Sequence, residues 1–386
     1  MNFAWPQLLW FNAAMAEILG ESRAGRRPAV ILSGGGAKGA YEIGVLKALR
    51  AHGVEPEIYC GTSVGAFNAA MMASGLSLER AEEIWTTLHR SGVFSWRFDP
   101  RQLMTTNPRV PLNLALHSFR TMWSFFNGTL ANWGAFWRVL DLDALLFDTT
   151  PLADLIERNV NIETIRSGRK ELFIALTCLS GRGEGAVVSV GKRHITHQHI
   201  HASCALPLIF PSVRIDQHVF CDGGVVMNTP LKLALDAGAT DIYVVYLTPP
   251  PLKYVDATLP LAYQVTATVL DATVRADLDV ARTRTAEFVA AFQEDRLVDG
   301  KLRVARAVEG KSEPEVKEFE YVRIFEINPS DDMKGLEGFL DFNPSFARIL
   351  INEGQKETER ILSSYYDEVL TSRAGAQMNV LRHRSH

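Results

Sequence analysis

Several features that mark a specialised class of protein are scarce in this sequence of 386 residues. No apolar run reaches the roughly 20 residues that a membrane-spanning helix needs. The four cysteines are scattered, without the close pairs of a zinc or redox motif, so we expect reduced thiols and no metal site. A formal charge of −4 gives no reason to expect nucleic acid as a partner. What is left is an ordinary globular composition, with 47% hydrophobic and 22% charged residues.

The N-terminal 27 residues form an apolar, aromatic arm that ends in a basic stretch. No Lys or Arg precedes the apolar part, and Asn12 and Glu17 interrupt it, which argues against a cleavable signal peptide. We expect an amphipathic helix packed on the domain, with peripheral contact at a membrane surface as the alternative. The protein is therefore expected in the cytoplasm, either free or at a membrane surface.

Two glycine-rich turns organise the first part of the chain. The first runs from Ser33 to Gly39 and reads Ser-Gly-Gly-Gly-Ala-Lys-Gly, and the second runs from Gly61 to Gly65 and reads Gly-Thr-Ser-Val-Gly. Each turn follows a short apolar run and precedes a helix-like segment. The second has the form of a nucleophile elbow, in which a sharp strand-to-helix turn exposes the serine, here Ser63. The first offers backbone N–H groups at a helix N-terminus, where an anion is stabilised.

The first turn also fits a dinucleotide-binding fingerprint, because Gly34, Gly36 and Gly39 follow a Gly-x-Gly-x-x-Gly pattern. That function requires an acidic residue at the end of the next strand. Here the next strand ends at Cys60, and the nearby acidic residues precede it. We therefore expect neither a nicotinamide nor a flavin, and no other cofactor.

A serine nucleophile needs a base, and the sequence offers an aspartate and a group of histidines. Asp222 follows an apolar strand and precedes Gly223 and Gly224, so its carboxylate would lie where ligands bind in a parallel sheet. The alternative is a surface Asp-Gly turn. The histidines, between His194 and His201, alternate as in an extended segment. They could serve a metal or a catalytic triad, but a solvated or core-edge strand is favoured.

Four motifs together carry a resemblance to a known family. They lie at residues 33–41, 61–66, 202–213 and 222–230, and they resemble those of patatin-like phospholipases in order and spacing. The resemblance covers residues 28–248, apart from an aromatic insertion. It implies a Ser–Asp dyad without a catalytic histidine, in which Ser63 is the nucleophile and Asp222 is the base.

The resemblance also implies roles for the glycines of these motifs. Backbone N–H groups of the first turn would form an oxyanion hole, and the other glycines would allow the sharp turns at the nucleophile and at the base. The expected oxyanion-hole residues are Gly34, Gly35, Gly36, Lys38 and Gly39. The expected turn glycines are Gly61, Gly65, Gly223 and Gly224.

The alternation of strands and helices predicts an α/β protein with a mostly parallel central sheet and helices on both faces. The resemblance implies the three-layer patatin-like fold. We expect the arm to occupy residues 1–27, the hydrolase domain residues 28–370, and a flexible basic tail residues 371–386. Residues 91–148 are expected to form an inserted helical cap, because four of the seven tryptophans lie there. They would form either a satellite core or a cover over a lipid channel.

Three further expectations concern the C-terminal part. The charged stretch 309–320 predicts a loop, residues 321–327 predict a strand, and a last helix should run from Pro344 to about Tyr365.

The expected function is a serine acyl hydrolase that cleaves acyl esters of phospholipids or lysophospholipids through an acyl-enzyme. The alternatives are an acyltransferase that uses the same acyl-enzyme and a catalytically idle relative that binds membrane lipid.

Overall fold

The computed structural model describes residues 26–96, 147–180, 187–207, 209–247, 302–306, 315–319, 322–330, 333–334 and 337–383. The N-terminal arm and the interior of the expected cap, residues 97–146, lie outside these ranges, so the predictions for them remain predictions. Within the described part, no helix is both long enough and apolar enough to cross a membrane.

A central sheet of eight strands forms the middle layer. Its strands are β1 (Pro28–Leu32), β2 (Ile58–Thr62), β5 (Glu171–Cys178), β6 (Val187–Gly191), β7 (Val213–Ile215), β8 (His218–Asp222), β9 (Asp241–Val245) and β12 (Arg323–Ile327). Seven of them lie in the order β12-β9-β1-β2-β5-β8-β7, and β6 pairs with β5. Two short antiparallel pairs join β3 (Ser95–Trp96) to β4 (Phe147–Asp148) and β10 (Leu302–Arg306) to β11 (Glu315–Phe319).

Five neighbouring strands, from β12 to β5, run parallel, and β6, β7 and β8 add antiparallel pairs. The α-helices of the described residues are α1 (Ala40–Ala51), α2 (Val64–Ala73), α3 (Leu78–Thr87), α4 (Thr150–Asn159), α5 (Ile162–Ser167), α6 (His197–Ser203), α7 (Leu231–Asp236) and α8 (Pro344–His383). The expected α/β fold with a mostly parallel sheet is confirmed.

Strand β1 shows why the sheet is covered on both faces. Successive side chains of a strand point to opposite faces. Val30 and Leu32 join one hydrophobic core, which includes α1 and α2, whereas Ala29 and Ile31 join a second core with α7. All four side chains are fully buried. An uninterrupted apolar run is what a central parallel strand between two layers of helices requires.

Helices α1 and α8 pack closely because each has a glycine at the contact. A Cβ atom on Gly44 would lie 1.9 Å from the carbonyl oxygen of Ile351, and one on Gly354 would lie 2.1 Å from that of Tyr41. Each backbone therefore approaches a position where no side chain fits. This contact fixes the C-terminal helix against the helix that follows the first glycine-rich turn.

Three local expectations were wrong. The histidine segment is not extended, because α6 starts at His197 with Thr196 as its N-cap, whose hydroxyl accepts from the His199 N–H. Part of the charged stretch 309–320 is strand β11 rather than loop, since it pairs with β10. The last helix does not end near Tyr365 but continues to His383, through much of the expected tail.

The expected insertion begins and ends at a two-stranded pair. Strand β3 leads into residues 97–146, and β4, which pairs with β3, leads out of them. The ring of Phe147 in β4 lies 4.8 Å from the ring of Phe94, measured between centroids, and Phe94 lies 5.3 Å from Phe210. The two ends of the insertion therefore lie together on an aromatic cluster.

Candidate active site

Ser63 occupies a sharp turn between β2 and α2. Its backbone angles are φ 55° and ψ −128°, a conformation that is uncommon for any residue other than glycine. A Cβ atom on Gly61 would lie 2.3 Å from the carbonyl oxygen of Gly65, and one on Gly65 would lie 2.1 Å from that of Leu32. Both flanking glycines are therefore required by close backbone contacts. This is the geometry that the Gly-x-Ser-x-Gly pattern predicted.

Hydrogen bonds from the segment around α6 hold the strained turn. The Ser63 N–H donates to the Ser203 hydroxyl at 2.9 Å, and that hydroxyl donates to the carbonyl oxygen of Ala175 in β5 at 2.8 Å. The Cys204 thiol donates to the carbonyl oxygen of Ser63 at 3.1 Å. Sequence reasoning assigned no role to Ser203 or Cys204. Their only signal was their position in the motif at residues 202–213.

Asp222 ends β8 as a buried carboxylic acid group, with 1% of its surface exposed. Its Oδ1 accepts from the Gly224 N–H at 2.7 Å. Its Oδ2 has no hydrogen bond of standard geometry to any described residue. A Cβ atom on Gly223 would lie 2.3 Å from the carbonyl oxygen of Ala175, so the chain must turn at a glycine directly after the aspartate. The Gly224 N–H therefore fixes one oxygen of the carboxyl group.

The protonation of Asp222 depends on its burial and on Ser63. Burial raises the pKa of Asp222 to about 7, while hydrogen bonding from the Ser63 side chain and from the Gly224 N–H favours the charged form and limits the rise. Because the Ser63 side chain is near enough to have this effect, the structure brings the two residues together. A carboxylate with a pKa near 7 can accept a proton at neutral pH and release it again.

The first glycine-rich turn lies against Ser63. A Cβ atom on Gly34 would lie 3.1 Å from the Cβ of Ser63, and Gly36 has a positive φ of 59°. The Gly34 N–H donates to the carbonyl oxygen of Asn228 at 3.2 Å, and the Lys38 N–H donates to that of Gly35 at 3.2 Å. The N–H groups of Gly35 and Gly36 have no hydrogen bond to the part of the chain that the structure describes. Both N–H groups are therefore available to donate to an anion.

Lys38 and Gly39 occupy the end of this turn. The Lys38 side chain is fully buried, and its Nζ lies 5.4 Å from the centroid of the Phe339 ring. A Cβ atom on Gly39 would lie 2.5 Å from Cγ2 of Val64, the residue after the serine. The turn and the start of α2 are therefore in direct contact.

The segment that follows Asp222 closes the site from the other side. The Asn228 side chain donates to the carbonyl oxygen of Gly34 at 3.3 Å, in addition to the bond from the Gly34 N–H. The Thr62 hydroxyl donates to the carbonyl oxygen of Met227 at 2.8 Å. Residues 227–228 thus bind both glycine-rich turns, and sequence reasoning did not identify this role.

An apolar pocket opens beside Ser63. Its walls include Trp85, Leu152 and Phe210, together with Phe339 and Phe342 from the segment before α8. The described lining offers polar side-chain atoms only at the serine, at Cys204 and on the indole ring of Trp85. A pocket of this composition suits a hydrocarbon chain.

The histidines lie outside this pocket. His197 Nε2 forms a hydrogen bond with the carbonyl oxygen of Val160 at 2.9 Å, and His201 Nε2 forms one with the Thr149 hydroxyl at 3.0 Å. Burial lowers the pKa of His201. Among the described residues, no group of three His, Cys, Asp or Glu side chains could hold a metal ion. The local bonds account for these histidines as structural residues.

The fold and site define a class of α/β protein that has a strained serine elbow, a buried aspartate beside it and a glycine-rich turn against it. Comparison with known proteins gives the family. A family model described as patatin-like phospholipase matches residues 30–235, which is more than half of the chain. The chain belongs to the patatin-like phospholipase family.

Individual relatives match over part of their length. Patatin-like phospholipase domain-containing protein 7 of Rattus norvegicus is 27% identical over 222 residues, which are 56% of this chain and 13% of that protein. Lysophospholipase NTE1 of Cryptococcus neoformans is 22% identical over 221 residues, 57% of this chain and 11% of the relative. The solved structure of VipD from Legionella pneumophila is 16% identical, with a TM-score of 0.38, and covers 88% of this chain and 67% of that chain. The chain thus spans about an eighth of the length of these curated relatives.

Proposed function

We propose that the protein is a serine acyl hydrolase that cleaves acyl esters of phospholipids or lysophospholipids with Ser63 and Asp222 as a catalytic dyad. The observation that carries this proposal is the buried Asp222 carboxyl group, with a pKa near 7, beside a serine on a strained elbow. A neutral serine hydroxyl is a weak nucleophile, and it needs a base of this kind.

The first half of the reaction is acyl transfer to Ser63. Asp222 Oδ2, which has no other described hydrogen-bond partner, accepts the hydroxyl proton as Ser63 Oγ attacks the ester carbonyl carbon. The bond between that carbon and the alcohol oxygen then breaks. Asp222 returns the proton to the leaving alcohol, and an acyl-enzyme remains on Ser63.

Backbone donors stabilise the oxyanion of the tetrahedral intermediate. The N–H groups of Gly35 and Gly36 are unoccupied and belong to the turn that contacts Ser63. Losing one such donor typically costs about 3–4 kcal/mol of transition-state stabilisation. Gly34, Lys38 and Gly39 contribute by shaping the turn, since the first two already use their N–H groups within the protein.

Deacylation repeats the same chemistry with water. Asp222 removes a proton from a water molecule, the hydroxide attacks the acyl carbonyl, and the bond to Ser63 Oγ breaks as the proton returns to that oxygen. The apolar pocket would hold the acyl chain during both steps. Strands β3 and β4, at the two ends of the expected insertion, pair next to Phe94, whose ring lies 5.3 Å from that of Phe210 in the pocket wall.

Activity measurements on matched variants test the proposal. We expect Ser63→Ala and Asp222→Asn each to reduce hydrolysis of p-nitrophenyl butyrate and of lysophosphatidylcholine by at least about 10³-fold. The kcat/KM of the wild type should rise with pH through about 7, because the base must be ionised. Asp216→Asn, a change at an exposed aspartate on the turn before β8, is the control and should retain activity. Hydrolysis that persists in Ser63→Ala would refute the dyad.

A further inference from the structure

A buried polar cluster lies behind the first glycine-rich turn and takes no part in the proposed reaction. It consists of Glu42 on α1, Asn68 on α2 and Trp85 on α3. The Asn68 amide donates to Glu42 Oε2 at 2.8 Å, and its oxygen accepts from the Trp85 indole N–H at 3.0 Å. Glu42 and Asn68 are fully buried. Buried polar groups cost stability unless they form hydrogen bonds.

The cluster contacts the last residue of the glycine-rich turn. The Asn68 amide also donates to the carbonyl oxygen of Gly39, the last residue of the turn, at 2.9 Å. At the start of the turn, the backbone N–H of Ser33 lies near the Glu42 carboxyl group, but Glu42 Oε1 has no hydrogen bond of standard geometry to the described residues. Residues 34–38, which include the free N–H groups of Gly35 and Gly36, therefore lie directly before the residue that Asn68 anchors.

The same cluster is rigidly connected to the nucleophile. Asn68 lies in the second turn of α2, and this helix begins at Val64, directly after Ser63. An amide on this helix that bonds to Gly39 sets the distance between the serine and the turn. Trp85, whose indole N–H donates to Asn68, is also part of the pocket wall. The cluster thus links the nucleophile, the oxyanion donors and the acyl pocket.

Burial favours the neutral form of Glu42. It raises the pKa of Glu42 well above its usual range, even though the hydrogen bond from Asn68 and the nearby Ser33 N–H favour the charged form. Glutamine has the same shape as protonated glutamate and keeps an oxygen that can accept from Asn68.

We propose that Asn68, anchored by Glu42, is a positioning residue. It holds the first glycine-rich turn, with its free N–H groups, at the correct distance from Ser63. Asn68 touches neither substrate nor the reacting atoms and acts through the backbone at Gly39. The inference rests on the proposed hydrolase function. The cluster would align the backbone N–H donors of the turn with Ser63, and binding of the transition state depends on this alignment.

The experiment measures turnover per active site rather than per milligram of protein. A fluorophosphonate probe titrates the reactive serine, and hydrolysis of p-nitrophenyl butyrate then gives kcat and KM per labelled site. Asn68→Asp keeps the size of the side chain but removes the N–H groups that reach Gly39 and Glu42. We expect kcat to fall by about 10- to 100-fold, with KM changed less than about threefold. A trifluoromethyl ketone, whose adduct with serine carries an oxyanion, should lose affinity by the same factor.

The two replacements of Glu42 supply a matched pair. Glu42→Gln keeps the acceptor for Asn68 and should retain kcat within about threefold of the wild type. Glu42→Leu fills the same space without an acceptor and should lose kcat as Asn68→Asp does. If Asn68→Asp does not fold, Glu42→Leu tests the positioning role by the same changes in kcat and KM per labelled site.

Thr358→Val is the control for a loss of stability alone. The Thr358 hydroxyl is buried in α8, where it donates to the carbonyl oxygen of Gly354 at 2.7 Å, away from the turn. This variant should lower the melting temperature without changing kcat per labelled site. A kcat per labelled site within threefold of the wild type in Asn68→Asp, however low its labelled fraction, would overturn the positioning role.

Failure of the proposed function gives a different result. If Ser63 is not the nucleophile, the wild type will not label at Ser63, or Ser63→Ala will remain active. Where the wild type labels and Ser63→Ala does not, the dyad stands. The variants of Asn68 and Glu42 then test the positioning role alone.

Discussion

At the scale of single residues, the site depends on two groups held in unfavourable states. Ser63 has a backbone conformation that costs of the order of 1–3 kcal/mol for a non-glycine residue. Asp222 is buried without an ion-pair partner among the described residues, so its charge is disfavoured. The turn presents the Ser63 side chain to the apolar pocket, whereas burial raises the pKa of the Asp222 carboxyl group. Strain and burial at one place are typical of sites that sacrifice stability for chemistry.

The burial of Asp222 predicts how stability depends on pH. Its pKa is about 7 in the folded protein, and that of an unfolded aspartate is about 3.9, so folding takes up a proton between these values. The stabilisation is complete below about pH 4 and is lost as the pH rises through 7. The difference corresponds to at most about 4 kcal/mol. Asp222→Asn, which cannot ionise, should be free of this loss.

Urea denaturation at a series of pH values measures this effect. The free energy of unfolding of Asp222→Asn, relative to the wild type, should rise between pH 4 and pH 8 by up to about 4 kcal/mol. Asp216→Asn, the same change of carboxylate to amide at the exposed turn before β8, serves as the comparison variant. A relative stability of Asp222→Asn that stays constant with pH would mean that Asp222 has an ordinary pKa.

At the scale of elements, the contact between α1 and α8 fixes the helix that follows the first glycine-rich turn. A Cβ atom on Gly354 would lie 2.1 Å from the carbonyl oxygen of Tyr41, so Gly354→Ala must push the two helices apart. We expect a loss of about 2 kcal/mol, because overpacking of about 3 kcal/mol exceeds the gain of about 1 kcal/mol in helix propensity. Urea denaturation of this variant measures the loss.

Lys356→Ala is the matched control for this substitution. Lys356 lies on the exposed face of the same helix, and its replacement should change the free energy of unfolding by less than about 0.5 kcal/mol. If Gly354→Ala proves as stable as Lys356→Ala, the two helices are not packed as closely as the glycines indicate.

Local patterns in the sequence were sufficient for the elbow and for most strands and helices. The apolar run of β1 and the glycines around Ser63 act through neighbours in the chain, so their pattern predicts their structure. The contacts of Ser203 and Asn228 with the two turns span more than 100 residues, and no local pattern contains them. The helix α6 was missed because the alternating histidines outweighed the N-cap signal of Thr196.

At the scale of the whole molecule, the region matched by the family model and the C-terminal part both contribute to the site. The family model ends at residue 235, and β9, β12 and α8 all lie beyond it. Strand β9 pairs with β1, and β1 directly precedes the first glycine-rich turn. Phe339 and Phe342 form part of the pocket wall, and a Cβ atom on Gly36 would lie 2.2 Å from the carbonyl oxygen of Phe339. The site is therefore built from both parts of the chain.

The most direct test of the dyad is to locate the acyl group during turnover. The wild type is mixed with p-nitrophenyl butyrate, quenched in acid within the first turnovers and digested, and the acylated peptide is identified by mass spectrometry. We expect the butyryl group on Ser63 and no adduct in Ser63→Ala. A butyryl group on another residue, such as the neighbouring Cys204, or turnover without any adduct on Ser63, would contradict the account.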